Sequence, residues 1–351
     1  KEVTGQDLKV QTVIGTKPKT EHSKHSCQNK SLAVFVKYFQ PINNIFKSRV
    51  FSFLFIKERW WFIMTKRERV LNAMNNKPVD RPPVGFWFHF PLDMDLDKEC
   101  VDAHLDYYKT CDTDFIKIMC DGFFDYPNPI IPQIKEPKDW FNMKPLGADH
   151  PFIQGQVKRA KEIVERLNGE CCTFYNVFCP MSYFRFGTSE ELLMSHLKED
   201  PEAVLYAFDV IAQDAITLCK LLIEEAGCDG IYYCVQNAEE FRFTYDQYRA
   251  LVTPSDLKVL EAANKLSENN MLHCCGWAGD KNRIEVWQDY PAKAINWAVF
   301  VENMTLPEGK KFFGGKCVIG GFDNRDEAVL CSGTKEEIVE FILGSIDETN
   351  S

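Results

Sequence analysis

The chain has 351 residues, the globular composition expected of one barrel-sized domain or two smaller ones, and a formal net charge of −10. The charge is uneven: residues 1–63 hold 11 Lys+Arg against 4 Asp+Glu (net +7) and the rest hold 30 against 47 (net −17), an acidic body that argues against nucleic acid as a partner and suits a soluble enzyme acting on small molecules. Fourteen cysteines lie scattered through the chain, several inside apolar runs such as Tyr232-Tyr-Cys234-Val, with no secretory leader; this is the pattern of a reducing cytoplasm rather than of a disulfide scaffold.

Residues 1–63 contain none of the nine methionines and mix a polar Lys/Ser/Gln stretch with an aromatic cluster at 51–56. That cluster is too short to span a bilayer, so no membrane-embedded segment is expected. A targeting peptide or an interfacial helix would fit the composition. The expectation adopted is a non-native or disordered upstream extension, with the natural start at Met64 and the folded domain over 64–351. Arg59-Trp60 can be encoded by AGG-TGG, similar to a ribosome-binding site a suitable distance ahead of a start codon.

From Met64 the chain becomes regular. Thr65 caps a helix over 65–74, which the prolines at 78, 82 and 83 stop. A strand is predicted at 84–90, a helix at 101–111 and a second strand at 114–119. After a proline-rich loop come a helix near 155–168, a strand at 172–179, and helices near 189–197 and 201–227. The fourth strand, 230–235, leads through helices near 244–269 to a fifth carrying Met271-Leu-His-Cys-Cys-Gly276. Strands at 294–299 and 317–319, separated by a helical stretch, and a helix at 335–346 complete the series. Seven strands alternating with helices predict a parallel α/β fold, and the length favours a (β/α)8 TIM barrel over an open doubly wound sheet. No GxGxxG or P-loop follows any strand, which disfavours nucleotide binding. The sequence stops directly after the seventh strand's helix, so the barrel is expected to be truncated before its eighth strand.

Active sites of such barrels gather at the carboxyl ends of the strands. Those ends supply Trp87 and His89, Asp121, Cys179, Gln236 and Asn237, His273 and Cys275, Asn296 and Trp297, and Asp323 with Asn324. Most have a structural reading too: Trp87 and Trp297 as packing, Asp323 in an Asx turn, Cys179 as a small core residue, and His89 as a satisfied histidine. His273 and Cys275 are the most informative. Side chains two apart on a strand face one way, so an imidazole and a thiolate would meet at one point while Cys274 turns into packing, and that pair is half of a usual zinc shell.

With those residues in view, residues 64 to 347 resemble the uroporphyrinogen decarboxylase superfamily in its broad sense, which includes zinc-dependent methyltransferases acting on methylated corrinoids. The resemblance rests on Thr65-Lys-Arg-Glu-Arg69, Pro78-Val-Asp-Arg-Pro-Pro-Val84, Glu225-Ala-Gly-Cys-Asp-Gly230, Ala294-Ile-Asn-Trp297 and the run from Gly314 to Asn324. True decarboxylases follow the Pro-Pro-Val segment with two substrate-binding arginines, whose places hold Phe88 and Leu92 here. Their active-site tyrosine and serine correspond to Phe186 and Gln236, and their fifth strand carries no metal ligands. Only the aspartate that contacts the pyrrole nitrogens has a counterpart, Asp121. The methyltransferase branch is similar at His273 and Cys275, which the resemblance implies are zinc ligands. It also implies a third ligand, a cysteine on the eighth strand, after Ser351; neither Cys317 nor Cys331 is carried over to that role.

The resemblance implies a zinc-dependent methyltransferase of this family, moving a methyl group from a methylated corrinoid (a methylcobamide), carried by a partner protein, to a small-molecule thiol. Trp87, His89, Gln236, Asn296 and Asp323 are expected to shape the substrate cavity and Asp121 to serve the chemistry. The alternatives are a uroporphyrinogen decarboxylase of porphyrin biosynthesis, using Asp121 and no metal, and an inactive barrel that only binds. The sequence leaves the oligomeric state open.

Overall fold

The computed structural model describes residues 63–91, 93–276, 279–323, 325 and 327–350; the expected upstream extension lies outside them except for its last residue. Helix α1 (Lys66–Met74) begins at a capping box, in which the Thr65 hydroxyl accepts from Glu68 N–H and the Glu68 carboxylate accepts from Thr65 N–H. Of its residues, Val70 and Met74 are buried, each contributing about 1.5–3 kcal/mol by leaving water.

Six strands form the sheet: β1 (Phe115–Ile118), β2 (Cys172–Phe178), β3 (Gly230–Val235), β4 (Met271–Cys274), β5 (Ala294–Trp297) and β6 (Cys317–Ile319). They pair in chain order and every pair is parallel. The sheet curls 192° round an axis and is flanked by helices, the architecture of an incomplete (β/α)8 barrel. β1 to β3 and β5 are buried along their whole length, as strands covered on both faces must be. On the inner face Phe115, Cys172, Phe174, Tyr232, Met271 and Ala294 pack together with Val70 and Met74, so α1 closes the amino-terminal end of the half-barrel. A larger cluster lies between the outer face and the helices.

That outer layer contains α2 (Asp97–Cys111), α3 (Pro151–Leu167), α4 (Pro180–Gly187), α5 (Glu190–Glu199) and α6 (Pro201–Glu224), then α7 (Tyr245–Leu251) and α8 (Thr253–Asn264). Short helices α9 (Val299–Glu302), α10 (Leu306–Phe312) and α11 (Val329–Ser332) precede α12 (Lys335–Asn350). The helices expected near 244–269 are α7 and α8, and Pro254 starts the second immediately after the first. Helix α4, not anticipated, starts on Pro180 directly after β2.

One predicted strand does not form. Residues 84–90 are extended but join no ladder. Carboxylates take hydrogen bonds that a neighbouring strand's carbonyls would accept: Val84 N–H donates to Asp114 Oδ2 at 2.7 Å and Phe90 N–H to Asp121 Oδ2 at 2.8 Å. Asp114 N–H in turn donates to Val84 O at 2.7 Å.

The amino-terminal end is tied by charge. Asp114, fully buried, accepts from Arg69 at 2.7 Å and from Arg81 at 2.6 Å. Arg69 also grips Asp80 at 2.6 Å, and Arg67 forks onto Asp229, just before β3. Among the described residues no helix is long and apolar enough to cross a membrane, and all thirteen described cysteines are free thiols.

Candidate metal centre

Register places the chemistry. Phe178 on β2 is level with Cys234 on β3, Cys234 with His273 on β4, His273 with Asn296 on β5, and Asn296 with Ile319 on β6. Parallel partners at one level face the same way, so Cys234, His273 and Asn296 form a row across the inner face near the carboxyl ends. Cys275, two residues past His273, joins it from above, while Cys274, one residue along the strand, turns to the opposite face and is buried. Gly276 lets the chain leave the strand: a Cβ there would lie 2.7 Å from the Cβ of Ala298.

The result is a cluster of one imidazole and two sulfurs. Ligand atoms of Cys234, His273 and Cys275 all lie within 4.8 Å of one another, and the three side chains are able to coordinate a metal ion. Tetrahedral zinc, with bonds of about 2.0–2.3 Å, sets its ligand atoms about 3.3–3.8 Å apart, so adjustments of about an ångström close the set. Cys234 is buried, and His273 and Cys275 are half-buried. A hydrogen bond from Cys234, aided by His273 and Lys117, holds the Cys275 thiol well below its ordinary range, while burial and the neighbouring Cys275 push Cys234 up. The direction at Cys275 favours the thiolate form that metal binding requires.

The imidazole is oriented by its neighbours. Asn296 Nδ2–H donates to Ile319 O at 2.8 Å, which turns its Oδ1 toward His273. His273 Nδ1 is hydrogen-bonded to that oxygen and so carries the proton, leaving Nε2 as the lone-pair nitrogen. An amide or carboxylate fixing the tautomer in this way is the usual support of a metal-binding histidine. Gln236 Nε2 approaches Cys234 Sγ at 3.7 Å, and its Oε1 accepts from Arg185 at 2.9 Å. Trp87 stands edge-on to the His273 ring, centroids 6.0 Å apart.

Of the residues singled out from sequence, the structure thus brings His273, Cys275, Asn296, Gln236 and Trp87 to one place. Asn296 is hydrogen-bonded to His273 and Gln236 to Cys234. Asp121 and His89 form a pair of their own, Oδ1 to Nδ1 at 2.6 Å, with Asp121 buried and its second oxygen held by Phe90 N–H. Asp323 is gripped by Arg325, whose hydrogen bonds hold its carboxyl below the usual range. Cys317 starts β6 beside Ala294, packed with the amino-end cluster, and burial pushes its thiol up to about 11.

Sequence reasoning missed Cys234 and Lys117. The third ligand is expected from sequence on an eighth strand; Cys234 on β3, two residues before Gln236, also stands beside His273 and Cys275. Its signal was its position near a strand end, masked by the apolar run around it. Lys117 reads as an irregularity in an apolar strand; in the structure it is a buried ammonium over the rings of Trp87 and Tyr232, 4.8 and 4.5 Å from their centroids.

No protein-family model matches the chain, and no curated protein does. Among solved structures it is similar to a methyltransferase from Methanosarcina mazei, at 14% identity and a TM-score of 0.55, over 82% of this chain and 100% of that one. At that identity the likeness establishes a common fold.

Proposed function

We propose that the protein is a zinc-dependent methyltransferase that moves a methyl group from a methylated corrinoid to a small thiol. One observation carries the reading: Cys234, His273 and Cys275 converge on one point at the carboxyl end of a half-barrel, where barrel enzymes do their chemistry. The fold shared with a methyltransferase supports it, as do the motifs over residues 64 to 347.

Three protein ligands suit a catalytic zinc site, which keeps a fourth position open. A zinc ion held there would supply Lewis acidity, lowering the pKa of a thiol that enters the open position so that a thiolate persists at neutral pH. Around it the chain's own residues have separate tasks. Asn296 keeps the His273 proton on Nδ1, Gln236 holds Cys234 by its side-chain N–H, and Trp87 packs against the imidazole and limits its rotation. A methylated corrinoid would supply the methyl carbon, which the acceptor sulfur's electron pair would take while the Co–C bonding pair remained with the donor and the thiol proton passed to solvent. Asp121, paired with His89, lies outside these steps. The corrinoid would arrive on a partner protein, and no residue of this chain is assigned to it.

The test is methyl transfer from methylcobalamin to a small thiol by the purified, zinc-loaded protein. Activity abolished by a chelator and restored by zinc is the expected result. Decarboxylation of uroporphyrinogen without metal would replace this reading with the second one, and turnover unchanged in Cys275→Ser would overturn the metal's role.

A further inference from the structure

Lys117 is the buried group that the reading above does not use. It sits on β1, 5% exposed, with its side chain on the inner face next to Phe174, its ladder partner. Its Nζ lies over the faces of Trp87 and Tyr232. Tyr232 precedes Cys234 by two residues on the same face of β3, and its ring is 5.7 Å from that of His273; Trp87 touches the same imidazole. The Trp87 and Tyr232 rings thus lie between the lysine and the imidazole of the cluster. No carboxylate or hydrogen-bond acceptor is paired with its ammonium among the described residues. Arg67, Arg69 and Arg81 at the amino end are paired directly with carboxylates; Lys117 is not. A buried charge without a counter-ion is costly to the fold, and burial draws the ammonium toward its neutral form. The rings offset only part of this. The negative groups whose fields reach it are the sulfurs of Cys234 and Cys275, together with Cys120 and Asp121 just beyond β1. Of these, Asp121 is shared with His89.

The charge balance of the proposed centre suggests why such a cation is kept. Zinc with two thiolates and a neutral imidazole carries no net charge. An acceptor that binds as a thiolate adds one negative charge in a site of low dielectric, where an ammonium several ångströms away still acts strongly. Resting on the zinc reading above, we infer that Lys117 is a positioning residue whose buried ammonium is the counter-charge for the acceptor thiolate, stabilising the thiolate-loaded centre without ligating the metal. It works through space, across the Trp87 and Tyr232 rings.

Cobalt(II)-loaded protein titrated with 2-mercaptoethanol across pH tests this, with the thiolate-to-cobalt absorption band as the readout. Lys117→Met is expected to take up cobalt like the wild type while the midpoint pH for thiol binding rises by about one unit. Lys117→Arg, which keeps the charge, should restore most of the shift. A lysine serving only to pack against its two rings would change thermal stability and leave the midpoint where it was; an unchanged midpoint in Lys117→Met overturns the inference. Should that variant not fold, Lys117→Gln takes its place, and loss of cobalt from both neutral variants counts against the inference too. A wild-type chain that takes up no cobalt overturns the zinc reading beneath it, a result that differs visibly from a metal-loaded chain with an unmoved midpoint.

Discussion

The two ends of the sheet are built on opposite principles. At the amino-terminal end charge is matched with charge: Arg69 and Arg81 converge on Asp114, Arg69 also holds Asp80, and Arg67 holds Asp229. At the carboxyl end, the inner face gathers two sulfurs and an imidazole within 4.8 Å of one another, and near them an ammonium lies over two aromatic rings. A saturated network resists change, since removing one partner strands the others. An unsaturated set has capacity left for a ligand. The same strands therefore carry a stability end and a binding end, and substitutions at the two should have different consequences.

The largest effect is expected at the amino end. Asp114→Asn leaves two buried guanidinium groups facing a neutral amide, and a loss of about 3–5 kcal/mol in unfolding free energy is predicted, measured from the urea midpoint. At the other end, Cys234→Ser and Cys275→Ser should leave the metal-free protein close to wild type in the same measurement while zinc affinity falls steeply. If either serine variant destabilises the metal-free chain as much as Asp114→Asn does, the contrast between the ends fails.

Asn296→Ala sharpens the comparison, because it removes support and not a ligand. Zinc affinity is expected to drop by roughly 10–100-fold, less than for either cysteine. Competition with a chromophoric chelator gives the ranking, and equal losses in all three variants would place Asn296 among the ligands.

The helix layer behind the binding end gives a pH-dependent prediction. Asp256 on α8 is fully buried, with Tyr290 donating to it at 3.0 Å and Tyr248 at 3.4 Å; Tyr248 also reaches Gln236 O at 3.2 Å. Burial raises the carboxyl to about 7, against the opposing pull of the two tyrosines. The folded state thus keeps a proton that the unfolded chain releases near pH 4. Stability is full below that value and declines as pH rises toward 7, by up to about 1.4 kcal/mol per unit. Asp256→Asn should flatten the slope of stability against pH over this window, and an unchanged slope would show that other groups set it. The smallest effect is expected from Arg325→Ala, which frees Asp323 at an exposed position: neither stability nor zinc affinity should move measurably.

Much of this arrangement is legible in the amino acids. Short apolar strands alternating with capped helices specify a parallel α/β barrel, and the two-residue spacing of His273 and Cys275 is enough to aim both at one point. Period fixes the face a side chain takes; it does not fix which strand lies level with which. Cys234 meets His273 only through the β3–β4 register, and inside Tyr232-Tyr-Cys-Val it looks like any buried thiol. Asn296 is similar: its residue type suits contact with a substrate as well as with a histidine, and only the Ile319 carbonyl opposite decides which way the amide turns. The segment 84–90 misleads for the reverse reason, because its apolar character is that of a strand while its end N–H groups go to aspartates.

The central claim is that Cys234, His273 and Cys275 together hold one metal ion. Cobalt(II) titration of the wild type and of Cys234→Ser, followed by the thiolate-to-cobalt absorption band, tests it most directly. One equivalent should bind the wild type with a band of two-thiolate intensity, and Cys234→Ser should bind more weakly with about half that intensity. A wild-type chain without the band, or a Cys234→Ser variant whose titration overlays it, would contradict the account.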